Sequence, residues 1–321
     1  MRLSYWFFAP LFTLTTIAAR ADDTGPVVTL SGFVDSSLSY TFTPKALADQ
    51  GLVIGLDQVE LDIDVAVGGS LQLRVDLEFL PSAMLVPADG PVAMFDRIVE
   101  QAYAVYAIGQ SEWFVRAGKW NAPIGFEVID PTGLWQWSYG LLFSLATPAN
   151  LTGVAFGWAG ESTAAQLWVS NDWDEPATYK HASLGGRFQQ ALGAAGTVGV
   201  SATFGKLAEA DPKLMLDVDL TLGFGDFKLG AQFNFGSQGD ASSIGALIAL
   251  NYAFTDAFSM TVRGDYLDRE IIGSQYKGAS ATLAGLLNLT QGFDLIAELR
   301  ADFPDRDNTA VLGALELLAS F

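Results

Sequence analysis

The chain contains no cysteine and one histidine, His181, in 321 residues. A disulfide framework and a cysteine-based metal site are thereby excluded. Any Ser-His-acid arrangement would have to use His181, and no nucleophile motif accompanies it. Positive charge is scarce: 17 Lys and Arg stand against 36 Asp and Glu, a net charge of −19. Phosphate recognition needs basic surface, which argues against nucleic acid as a partner. Charge of either sign is thin, at 17% of residues, where an ordinary soluble domain carries about a quarter. Long apolar runs are missing as well. After residue 21 no stretch reaches the ~18 apolar residues that a spanning helix needs. The uncharged span from Pro131 to Gly160 is broken by Gln136, Ser138, Pro148, Asn150 and Thr152. There is no G-x-x-x-x-G-K-[ST] phosphate loop.

What the chain does have is apolar residues at 50%, aromatics at 12% and 33 glycines. Together these suggest many short strands joined by tight turns, and a membrane β-barrel rather than a helix bundle. At the N-terminus, Met1-Arg2 precedes a mostly apolar stretch from Tyr5 to Ile17, and Ala19-Arg20-Ala21 supplies small residues at −3 and −1. This reads as an export signal over 1–21, cleaved before Asp22, leaving 22–321 as a single barrel domain. Loss of Arg2 and Arg20 leaves 15 bases against 36 acids, a charge of −21.

Apolar and polar residues then alternate with period two down the chain. Leu71, Leu73, Val75, Leu77 and Phe79 interleave with Gln72, Arg74, Asp76 and Glu78. Similar ribbons run through 213–222 and 293–302. Segmentation by alternation and turn residues predicts sixteen strands, near 27–42, 52–66, 70–79, 97–108, 112–118, 150–159, 162–170 and 181–191. The second half lies near 196–206, 213–223, 226–235, 241–254, 256–267, 275–289, 292–303 and 309–321. The register is ambiguous around Glu100-Gln101-Ala102-Tyr103 and at Trp168.

Alternation alone does not separate a soluble sandwich from a membrane barrel. Three features favour the barrel. Tight turns such as Gly68-Gly69, Gly225-Asp226 and Gln291-Gly292 alternate with longer connections, from 236–240 and 304–308 up to 119–149. Every proline after Pro26 falls in the longer set, as expected where strands must donate to a closed ladder. Aromatics such as Phe224, Phe227, Phe254 and Phe321 would form one interfacial girdle, and Tyr40, Phe204, Tyr266 and Phe303 the other. Leu315, Leu317 and Ala319 alternate up to Phe321, like the assembly signal of outer-membrane barrels.

The expected fold is all-β: a transmembrane, antiparallel, up-and-down barrel of about sixteen strands. A barrel of that size is wide enough for an aqueous channel, and the predicted inward rows are mostly small or polar. The connection Lys119–Ala149 lies where general porins carry their constriction loop. Its aromatic content (Trp120, Phe126, Trp135, Trp137, Tyr139) suits packing against a wall, so it is expected to fold into the lumen. The alternative is that Ser138–Ala149 forms a further strand half.

The stretch Arg116-Ala-Gly-Lys-Trp-Asn-Ala-Pro-Ile-Gly-Phe-Glu127, with Ile129-Asp130-Pro131, Ser138–Phe143, Pro148–Gly153 and Val169–Asp174, resembles the OmpL-like "porin-2" family of β-barrel porins. The opening Ser31-Gly-Phe-Val-Asp35 also matches. The likeness is specific over roughly 30–190, and Asp172 stands where the family pattern has glycine. The resemblance implies an outer-membrane porin and names no solute.

Inward acids by this register outnumber inward bases eleven to six, which predicts a weak cation preference in a channel for small hydrophilic solutes and ions. The candidate pore-lining and constriction residues are Arg74, Asp76, Arg116, Lys119, Glu127, Asp130, Arg187, Arg263, Asp265 and Arg300. A transverse field is expected if Arg74, Arg116 and Arg187 face Glu127 and Asp130. No catalytic residue, cofactor or metal is expected; Asp172, Asp174 and Glu175 read as a solvated acidic turn. The rival functions are a plugged barrel acting as adhesin or structural protein, and a barrel hydrolase. The expected partners are outer-membrane lipid and the permeating solutes, and analogy with other sixteen-stranded porins suggests a homotrimer. The location implied is the Gram-negative outer membrane.

Overall fold

The computed structural model describes residues 25–42, 51–79, 98–171, 182–206, 211–270, 275–306 and 309–321. The export signal, the acidic turn 172–175 and His181 lie outside the described residues. The first eight strands are β1 (Val27–Thr41), β2 (Leu52–Val67), β3 (Leu71–Phe79), β4 (Val99–Ala107), β5 (Trp113–Asn121), β6 (Asn150–Ala159), β7 (Thr163–Ser170) and β8 (Ser183–Ala191). The rest are β9 (Gly196–Lys206), β10 (Pro212–Phe224), β11 (Phe227–Gln238), β12 (Ala241–Ala253), β13 (Phe258–Arg269), β14 (Tyr276–Thr290), β15 (Phe293–Pro304) and β16 (Ala310–Ser320). Each strand pairs antiparallel with its neighbours in sequence, and β1 pairs with β16, so the sheet closes into a barrel. Closure removes the edges that would otherwise leave backbone groups unpaired in hydrocarbon. Among the described residues no helix is long and apolar enough to cross a membrane.

The alternation settles which face is which. On β12, Ile244, Ile248 and Leu250 point outward and are exposed, whereas Ser243, Leu247, Ala249 and Asn251 point inward and are buried. Trp168 lies on the inward face of β7, between the exposed Leu167 and Val169. The outer surface carries Phe224, Phe227, Phe254 and Phe321 toward the short-turn end, and Tyr40, Phe204, Tyr266 and Phe303 toward the other. Trp113 and Phe156, stacked at 5.0 Å, add to the first group.

The ambiguity at Glu100 has a structural cause. Asp76 pairs with Gln101 and Leu77 with Val99, which leaves Glu100 as the extra residue of a β-bulge. Both Glu100 and Gln101 are buried as a result. A second bulge on β2 makes Asp57 the extra residue, between Gln58 opposite Asp35 and Leu56 opposite Ser36.

Three expectations about boundaries need correction. β5 continues to Asn121, so Lys119 and Trp120 belong to a strand and the long connection is 122–149. β11 continues to Gln238, which shrinks its connection to Gly239-Asp240; Gly239, at φ +58, supplies the left-handed backbone that so short a hairpin needs. Pro212 and Pro304 are the first and last residues of β10 and β15, where a missing N–H is tolerated at a strand end. Ser138–Ala149 is no strand half. It contains the short helix α1 (Leu141–Leu145).

Candidate functional site

The connection 122–149 leaves the wall between β5 and β6 and docks on the opposite side of the lumen. Its way in is apolar. Trp120, Ile124, Leu151, Ala155, Trp168 and Met215 form one buried cluster linking β5, β6, β7 and β10. Farther along, Leu142 packs on Leu247 and Ala249 of β12, with Phe126 and Trp135 against the same cluster. Leu141 and Ala146 pack on Leu267 of β13. Apolar residues on an otherwise polar inward face thus mark where the loop lands, since side chains there must meet the loop rather than water.

Hydrogen bonds fix its path. The Phe126 N–H donates to Gln232 Oε1 on β11 at 3.0 Å. Thr261 Oγ1 on β13 donates to Trp135 O at 2.8 Å, and Trp137 Nε1 donates to Asp57 Oδ2 on β2 at 3.4 Å. The Phe126 ring occupies the space a side chain would need at Gly230; a Cβ there would sit 2.2 Å from the ring.

Glu127 is the central polar anchor. It is fully buried and accepts from Arg263 Nη1 at 2.8 Å, from Gln136 Nε2 at 2.9 Å and from the Gly140 N–H at 2.7 Å. Burial pushes its carboxyl above the ordinary range, against the pull of Arg263. Arg263 also reaches Asp265 at 3.2 Å, Thr282 Oγ1 at 3.1 Å and Ser138 Oγ at 3.2 Å. Arg300 on β15 donates to the same Ser138 Oγ at 3.1 Å and pairs with Asp302 at 2.8 Å. The Ser138 N–H donates to Glu298 Oε2 at 3.0 Å. Asp265 accepts from Ser280 Oγ at 2.9 Å and from the Leu141 N–H at 3.4 Å. β13 and β15 therefore clamp the segment 136–141, while Ser280 and Thr282 of β14 hold Asp265 and Arg263 in place. Tyr139 donates its hydroxyl to Ile129 O within the loop, and burial raises its phenol well above the usual range.

The other candidates divide differently from the expected transverse arrangement, because the loop crosses to the far wall. Glu127 takes Arg263 as its partner, not Arg74, Arg116 or Arg187. Arg74 is held by Asp62 and Asp64 at 3.2 Å each and by Asp76 at 2.8 Å. Arg187 makes a buried two-pronged pair with Asp219, at 2.6 and 2.9 Å, and donates to Ser201 Oγ at 3.0 Å. Arg116 lies over the rings of Tyr103, Phe114 and Trp120, 5.1 to 5.9 Å from their centroids. Lys119 pairs in register with Ala102 and Thr152, off the inward row of Arg116 and Trp120, and its Nζ donates to Val99 O at 2.7 Å. Asp130, on the loop, is raised to about 7 by burial and by the charges of Glu100 and Asp62, so it faces the acidic side of the lumen.

That acidic side is the main feature the sequence reading understated. On the inner faces of β2 and β3, Glu60 stands opposite Glu78, Asp62 opposite Asp76 and Asp64 opposite Arg74. Asp35 and Glu100 join them, and Glu298 and Glu316 extend the arc onto β15 and β16. Both carboxylate oxygens of Glu60 and Glu316, and one each of Asp35, Glu100 and Glu298, are buried with no hydrogen-bond donor among the described residues. Asp35 was legible as an odd-numbered inward position of β1. Glu100 was hidden by its bulge. Toward the two ends of the inward rows exposure rises, to 47% for the Asp64 side chain and 28% for that of Asp302. Between them the loop narrows the lumen, and the inward rows are more deeply covered than small polar residues alone led us to expect.

A closed antiparallel barrel of sixteen strands, apolar outside and narrowed by a loop folded inward after the fifth strand, is the architecture of a porin. The model of the family described as "Putative beta-barrel porin-2, OmpL-like" matches residues 27–317, and the chain belongs to that family. No curated protein matches the sequence. Among solved structures, the outer membrane channel DcaP of Acinetobacter baumannii is similar at a TM-score of 0.69 and 13% identity, over 95% of this chain and 100% of that one. OmpT of Vibrio cholerae lacking its loop L8 is similar at 0.67 and 14%, over 93% and 100%. The anion-selective porin from Comamonas acidovorans is similar at 0.64 and 14%, over 92% and 100%. At these identities the likeness is one of fold.

Proposed function

We propose that the protein is an outer-membrane porin that passes small hydrophilic solutes and ions by passive diffusion and prefers cations. The observation that carries this reading is the arc of inward carboxylates on β15, β16 and β1 to β4 with unpartnered oxygens. A buried ionised carboxylate without a partner is costly unless water or a counter-ion reaches it. A hydrated lumen supplies both. The arginines offset this arc only in part: Arg187 and Arg263 are paired with carboxylates outside it, and Arg74 sets one positive charge against Asp62, Asp64 and Asp76. Cations are therefore favoured in the passage and anions opposed. An anion-selective porin shares this fold, so the barrel alone does not fix the sign of selectivity.

Family membership and the porin fold favour a channel over an enzyme. The same reading takes residues 1–21 as a cleaved export signal, which N-terminal sequencing of the membrane form would find beginning at Asp22. It takes a homotrimer as the assembly, which native mass measurement in detergent would test. The decisive experiment is reconstitution in planar bilayers under a KCl gradient. Discrete conductance steps with a cation-side reversal potential are expected. A barrel without conductance would instead support the plugged alternative, and an anion-side potential would overturn the preference.

A further inference from the structure

We propose that the lumen binds a hard divalent cation, of the Ca²⁺ type, between Glu60 of β2, Glu78 of β3 and Glu100 of β4. One carboxylate oxygen from each of these residues lies within 4.8 Å of the others. Oxygens that ligate one Ca²⁺ each stand about 2.3–2.6 Å from it, so separations up to roughly 5 Å suit a shared ion.

Glu60 supplies the evidence that a ligand is wanted. It is only 2% exposed, and neither of its carboxylate oxygens has a hydrogen-bond partner. It stands directly opposite Glu78 in the β2–β3 register, where like charges on paired strands repel. Glu100 offers the third carboxylate. Asn121 Nδ2 donates to its Oε1 at 2.6 Å, while its buried Oε2 has no partner.

The neighbouring bases offset this site only in part. Arg74 is committed to Asp62, Asp64 and Asp76. Lys119 donates its Nζ to Val99 O, and its charge reaches Glu78. A second trio, Glu60, Asp62 and Asp76, also lies within ligand reach, but two of its members already hold Arg74. The ion is therefore assigned to the first trio, with Glu60 common to both. The bulge reinforces the assignment: an unbroken ladder between β3 and β4 would have no extra residue, and Glu100 reaches the lumen as that residue. No sequence spacing announced the site, because its ligands come from three strands and one is out of phase.

Bound there, the ion would draw three strands together and neutralise part of the acidic arc. The inference deepens the channel reading but is tested without conduction. The full chain, refolded in detergent, is titrated calorimetrically with CaCl₂ alone. Saturable uptake of a single Ca²⁺ per chain is expected, weakened roughly tenfold or more in Glu60→Gln and in Glu100→Gln. Asp226→Asn, which removes a charge in the β10–β11 turn, should leave binding unchanged. Absence of saturable uptake, or equal weakening in Asp226→Asn, would overturn the site. Should the Glu60 variant fail to fold, the wild-type chain decides. Its unfolding temperature should rise with Ca²⁺ relative to Na⁺ at equal ionic strength, and no rise counts against the ion. A barrel that conducts but takes no Ca²⁺ overturns only this inference, and one that binds Ca²⁺ without conducting overturns only the channel reading.

Discussion

Glu127 and Arg263, 136 residues apart in sequence, meet at 2.8 Å in the lumen with both side chains buried. The pair fastens the inward loop to the wall farthest from where that loop leaves it. Removing one partner strands the other charge, which typically costs about 3–5 kcal/mol. Arg263→Met should therefore release the segment 136–141, raising single-channel conductance and lowering the barrel's unfolding temperature. The double variant Glu127→Met/Arg263→Met should recover part of the stability, because Glu127 is no longer stranded and Asp265, which also loses Arg263, keeps its Ser280 and Leu141 donors. Bilayer recordings and thermal unfolding of the three proteins check this.

Gly230 on β11 is a socket for the Phe126 ring. Its alanine variant places a methyl group where the ring lies, and overpacking of this kind costs about 1–3 kcal/mol. The barrel itself closes through backbone pairing that the methyl does not touch. Gly230→Ala is thus expected to change conductance and its noise while heat resistance falls only modestly. Unaltered channel traces would show that Phe126 does not seat the loop.

Much of this was legible before any coordinates. The sixteen strands follow from period-two alternation, because one face must meet lipid and the other must not. The inward loop followed from its length and its aromatic residues. Two things were not readable. Glu100 and Asp57 are bulge residues, and a single out-of-phase position registers in a periodic pattern only as ambiguity. The partner of Glu127 depended on which wall the loop reaches, which no local pattern encodes. The inward apolar residues Leu247 and Ala249 break the expected polarity of the inner face, and they could have signalled the landing place.

Arg187 and Asp219 form a two-pronged buried pair on β8 and β10, and Arg187 also holds Ser201, whose hydroxyl donates to Pro123 O at 3.3 Å. Arg187→Lys keeps the charge but loses the planar fork. The expected result is a lower unfolding temperature with cation preference retained. Thermal unfolding and reversal potentials on the same preparation separate the two effects.

The selectivity prediction concerns the opposite arc. Asp35→Asn combined with Glu316→Gln removes two inward carboxylates whose oxygens include unpartnered ones, without touching an arginine pair. The reversal potential should move toward zero, and removal of buried, uncompensated charge should stabilise the fold rather than weaken it. A potential that stays fixed would mean that these positions lie off the ion path.

The docking of an early segment onto late strands has a consequence for biogenesis. A cylinder without its last four staves could seat the inner flap on Gln232, Leu247 and Ala249 but would lack Arg263 and Arg300, its charged ties. Its bore cannot reach final width until β13 and β15 are in place. Aperture and completeness of assembly are thus coupled, and an unfinished barrel would hold its restriction less firmly.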